Sequence, residues 1–92
     1  MTLKEFEASD GKEFSGALLA LWWDARGDWD RAHQVAQDAG GRDGAWVHAS
    51  MHRKEGAVEN AAYWYGQARK PVQSGELRGE WKSIVVDLLS RR

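Results

Sequence analysis

The chain contains no cysteine and a single proline, and its longest stretch without a charged side chain, Phe14 to Trp23, is ten residues. Each absence removes a class of protein. Without thiols there is no disulfide framework, no thiolate zinc site and no thiol nucleophile, so a domain of this size must hold together by packing. Ten uncharged residues are about half of a membrane-spanning helix. The start, Met1-Thr2-Leu3-Lys4-Glu5, lacks the basic-then-apolar plan of a signal peptide, and the expected compartment is the cytoplasm. An excess of one charge is missing as well: 13 basic and 14 acidic side chains leave a net charge of −1. That balance removes the bulk attraction on which nucleic-acid and anionic-membrane binding rest, so neither is expected as a partner. Leu, Ile, Val and Phe make up only 16 of 92 residues, a fraction that alone suggests disorder, but six tryptophans and 13 alanines supply the missing apolar material. The expectation is one folded domain over residues 1–92.

What is present favours helix. No segment shows the β-branched alternation of a strand, and Ala, Trp, Arg, Lys and Glu abound, which predicts an all-α protein. Asp10 followed three residues later by Glu13 has the form of a capping box, after which Phe14, Ala17, Leu18, Leu21, Trp22 and Ala25 recur at helical spacing until Gly27. Asp28 can cap a second helix whose stripe is Trp29, Ala32, Ala36 and Ala39, ended by Gly40-Gly41. Asp43 can cap a third through Ala45, Trp46, Ala49 and His52 to Gly56, and a fourth runs from about Ala57 through Ala61, Tyr65 and Ala68 to Pro71. Leu77, Trp81, Ile84, Val85 and Leu88 form a fifth, apolar enough to close an end of the core. Residues 1–9 either dock through Leu3 and Phe6 or fray with the terminus. The predicted layout is a hairpin over 10–39, a second over 43–70 and a capping helix over 75–90.

Laid on itself at an offset of 29 residues, the chain matches Gly27 with Gly56, Ala20 with Ala49, Ala32 with Ala61 and Ala39 with Ala68, while Trp23 falls opposite His52. Small side chains suit the closest approach of two antiparallel helices, and glycine at the joint permits a tight reversal. In this pattern the sequence resembles a tetratricopeptide-type helical hairpin over roughly residues 13–71. The resemblance implies two hairpins plus a capping helix, with the outward face of each first helix lining a concave groove. By that correspondence Asp24, Trp46, Ser50 and Arg53 fall on the groove face. The run Ala45 to Gly56 with Asn60 to Tyr65 also resembles short bacterial proteins, a likeness that carries no function with it.

Two sets of residues are candidates for chemistry. Trp46 and Trp64 lie on the flanks of their helices, and a partly exposed indole is the kind of residue that anchors a partner. With Asp24, Ser50 and Arg53 they form the candidate partner-binding set. His48 and His52, four apart on one helix face, have a spacing that can present two imidazoles to one metal ion, although Ala49 stands where a metalloprotease helix has its glutamate. The plain alternative is a pair of half-buried, hydrogen-bonded histidines. His33 with Glu55 or Asp24 completes a site only if the fold brings them together. Gly40-Gly41-Arg42-Asp43-Gly44 lacks the strand and Lys-Ser/Thr ending of a phosphate loop, and no carboxylate pair flanks an apolar cleft. The preferred reading is a non-catalytic interaction module with no cofactor, whose partner is a protein, a peptide or a second copy of itself. The alternative is a small metal-dependent or acid-base enzyme centred on His48 and His52.

Overall fold

The computed structural model describes all 92 residues, and it contains helices and no strand: α1 Leu3–Ala8, α2 Gly16–Ala25, α3 Trp29–Ala39, α4 Gly41–Lys54, α5 Val58–Ala68 and α6 Leu77–Ser90. Helix α2 packs on α3 and α4 on α5 as two successive hairpins, and α2 also touches α1, α4 and α6. The first long helix is therefore central, which is how both Trp22 and Leu21 come to be buried on it. No helix is long and apolar enough to cross a membrane.

Six helices stand where five were expected, because the amino-terminal residues dock. Thr2 accepts a hydrogen bond from the Glu5 amide at 3.1 Å while the Glu5 carboxylate accepts from the Thr2 amide at 2.9 Å, a reciprocal cap that starts α1. The same amide holds the Glu5 carboxyl below its ordinary pKa. Phe6 is then fully buried, its ring 4.8 Å from Phe14 and 6.0 Å from Trp81. Asp10 and Glu13 do not form the capping box expected of them. Asp10 accepts from the Lys12 amide in a tight turn, and α2 begins only at Gly16 after Ser15. The turn carries Gly11 at φ +81°, where a Cβ would lie 2.8 Å from the Trp22 ring, so the chain passes close over that indole before α2 begins.

At the hairpin joints the sequence reading holds. Gly27 and Gly56 have φ of +79° and +87°, the left-handed region that glycine enters without strain. Ala20, Ala32, Ala49 and Ala61 are all buried, and Asp28 caps α3 by accepting from the Arg31 amide at 3.1 Å. The paired positions diverge at the end of the repeat, where Ala68 is buried and Ala39 exposed. Between the hairpins, Gly40 alone ends α3 and starts α4, so Asp43 lies inside the first turn of α4 and caps nothing; its carboxylate pairs with Arg91 at 2.8 Å. Helix α3 crosses α4 closely at Gly44, where a Cβ would come within 2.9 Å of the Ala36 carbonyl oxygen.

Helix α6 packs on α2 and α4. Its Trp81 indole donates to the Leu21 carbonyl at 3.0 Å, and Glu80 is buried with one oxygen 2.8 Å from Arg53 and the other accepting from the Tyr65 hydroxyl. Removing the Glu80 carboxylate would leave the Arg53 guanidinium and the Tyr65 hydroxyl without their shared acceptor. Burial, followed by the neighbouring Glu80 carboxylate, raises the Tyr65 hydroxyl well above its ordinary pKa, which keeps it a donor.

Candidate metal centre

Helix α3 carries Trp29 and His33 one turn apart, and α4 carries His48 and His52 at the same spacing. The close crossing at Gly44 turns these two faces toward each other. All three histidines of the chain then meet: their metal-capable nitrogens lie within 4.8 Å of one another, and the Nε2 atoms of His33 and His48 are 2.8 Å apart. At that distance one ring must donate its N–H and the other accept.

Two indoles wall the cluster. The Trp29 ring stacks on His33 at 4.7 Å and 10°, and its Nε1 donates to the Met51 carbonyl at 3.3 Å, which ties the indole to α4. Trp64, from α5, stacks on His48 at 4.0 Å and 20°. On the third ring, Nδ1 of His52 contacts the Glu55 carboxylate at 2.6 Å, leaving Nε2 of that ring free to turn toward the cluster. Carboxylate contact on the far nitrogen of an imidazole is the arrangement that orients metal-binding histidines.

The electrostatics favour neutral rings. His48 is 4% exposed, and burial, with His33 and His52 adding to it, pushes its pKa down to about 4. His33 is lowered as well, first by burial and then by His52, with Glu55 and Asp30 opposing. Metal binding requires unprotonated imidazole, so these two rings need shed no proton at neutral pH. Tetrahedral bonds of about 2.0–2.1 Å to zinc place donor nitrogens about 3.3–3.4 Å apart. The present separations fall on either side of that value. Three imidazoles without thiolate suit zinc, copper, nickel or cobalt.

Of the residues singled out in the sequence, His48 and His52 are joined by His33 and Glu55, whereas Asp24 is drawn away to Lys54 at 2.9 Å. The candidate partner-binding set is dispersed. Trp46 and Arg53 line one cavity of about 300 Å³ between α4, the Lys70–Glu76 segment and α6. Ser50 turns back to the Val47 carbonyl, and Trp64 covers His48 instead. Arg53 is not the free flanking charge expected of it, because Glu80 and the Gly75 carbonyl hold its guanidinium. Sequence spacing alone places Trp29 on the apolar stripe of its helix; its stacking on His33, four residues on, is evident only in the structure. No protein-family model matches the chain, and neither curated proteins nor solved structures provide a match, so the chemistry of the centre is read from its own geometry.

Proposed function

We propose that this protein binds one divalent first-row transition-metal ion, with zinc as the reference case, through His33, His48 and His52. The observation that carries this reading is the convergence of every histidine in the chain on one half-buried point, two of them held neutral. Two further features support it. Glu55 contacts the far nitrogen of His52, and the stacked indoles of Trp29 and Trp64 restrict the other two rings, so all three imidazoles are held in place. Because His33 belongs to the first hairpin and the other two to the second, the ion ties the hairpins together. The test is equilibrium dialysis of the protein against zinc, followed by elemental analysis. One retained ion per chain is expected, with loss of retention in His33→Ala, His48→Ala and His52→Ala. Retention no greater than that of the triple variant overturns the reading.

A second reading, an interaction module of tetratricopeptide-like design, is favoured by Trp46. Its half-buried indole carries the Lys70 ammonium 4.2 Å from the ring centroid, beside the cavity already described. An indole next to a cation and backbone carbonyls suits a protein or peptide segment, or a second copy of the chain, in a cytoplasmic setting without nucleic acid. Trp46→Ala with unchanged helical circular dichroism should lose any partner or dimer that the parent forms; unchanged association removes Trp46 from that role.

A further inference from the structure

We infer that the metal centre keeps one coordination position open to solvent and takes a small anionic oxygen or nitrogen donor there, so that it is a ligand-exchanging centre rather than a structural staple. The inference rests on the metal-binding reading and adds the fourth ligand to it.

Donor arithmetic comes first. The chain has no cysteine, and the group of potential ligands that converges here consists of His33, His48 and His52 alone. The nearest carboxylate, Glu55, is spent on Nδ1 of His52, behind the ring that faces the ion. Asp24 is held by Lys54, and Asp30 is an exposed residue of α3. Structural zinc sites close their shell with four protein ligands, whereas sites that exchange ligands supply three and leave the fourth to water or substrate. By that count this site belongs to the second kind.

Charge supports the same conclusion. Imidazole ligands bring no negative charge to a divalent ion, and Glu55 offsets it only from the outer side of His52. A centre left positive favours an anion in the remaining position, and it acidifies a bound water toward hydroxide. Access completes the argument, because His33 and His52 keep part of their surface in solvent, 13% of the side chain for His52, while His48 forms the buried floor. A donor of a few atoms reaches the ion from the His33 and His52 side, and the stacked indoles restrict anything larger.

Cobalt(II) reports directly on the fourth ligand. The full chain is loaded with one equivalent of cobalt, its visible absorption is recorded, and sodium azide is titrated in; the copper(II) form is followed in parallel by water-proton relaxation. The expected result is a four-coordinate cobalt spectrum that shifts saturably with one azide per ion, and a relaxation enhancement that falls as azide displaces water. A bound cobalt ion whose spectrum is indifferent to a large excess of azide, with no relaxation enhancement for copper, overturns the open position and leaves the metal-binding reading standing. Failure of both ions to bind overturns the metal-binding reading itself.

Discussion

At the level of single residues, the chemistry of this protein is concentrated in His48 and Glu55. His48 is buried with its pKa near 4, whereas an unfolded chain protonates histidine at its ordinary value of about 6.5. Between those two pH values the unfolded state binds a proton that the folded state refuses, so stability falls as pH drops through that window and levels off below it. The slope from one such group is at most about 1.4 kcal/mol per pH unit. Urea denaturation at several pH values, with chelator present, should show this slope, and His48→Gln should flatten it; His33, lowered in the same direction, contributes a remainder. In the proposed metal site Glu55 acts through His52, whose Nδ1 it contacts, and not on an ion directly. Glu55→Gln should therefore weaken zinc affinity about 10- to 100-fold in a chelator competition assay while leaving the unfolding midpoint of the metal-free chain nearly unchanged.

Among the elements, two contacts decide how the helices sit. The alanines at the hairpin crossings leave no room for a larger side chain: Ala32 and Ala61 are buried in the α2–α3 and α4–α5 hairpins. Ala32→Leu or Ala61→Leu should lower stability by about 1–3 kcal/mol through overpacking, read as a shift in the denaturant midpoint at constant slope. Parental stability in either variant would mean that the crossings tolerate expansion. Helix α6 depends on a different kind of contact. Glu80→Ala strips Arg53 and Tyr65 of their shared acceptor, and a loss of about 3–5 kcal/mol is expected from calorimetry or denaturation. Tyr65→Phe removes one neutral donor and leaves the Arg53 pair intact, so its cost should be closer to about 1 kcal/mol.

For the molecule as a whole, the proposed metal site implies that metal and fold are linked, because it needs ligands from both hairpins at once and the unfolded chain holds them apart. Zinc at about 100 times its Kd should raise stability by about 2.7 kcal/mol, visible as a concentration-dependent increase in Tm. The increase should vanish in His33→Ala, which leaves the α4 pair untouched but removes the only ligand from the first hairpin. An equal increase in that variant would show that zinc binds elsewhere.

What the sequence determined by itself is the local part of this design. Gly27, Gly56, the alanines at 20, 32, 49 and 61, and the Asp28 cap all act through neighbours within a turn or across a short joint, so spacing alone exposes them. His48 and His52 were legible for the same reason, being one turn apart on one helix. Longer-range facts were not. That α1 docks depends on Phe6 finding Phe14 and Trp81, and the turn before α2 lays Gly11 against Trp22, eleven residues on. Likewise, the resemblance placed Asp24 and Arg53 on an open groove, whereas Lys54 and Glu80 occupy them at separations of 30 and 27 residues. Only the tertiary structure decided that His33 joins the pair and Asp24 does not, because the angle and depth of the α3–α4 crossing are set by a one-residue junction at Gly40 and by the absence of a side chain at Gly44. No periodicity along the chain encodes that crossing, and it is the crossing that turns two histidines on a helix into three around a point.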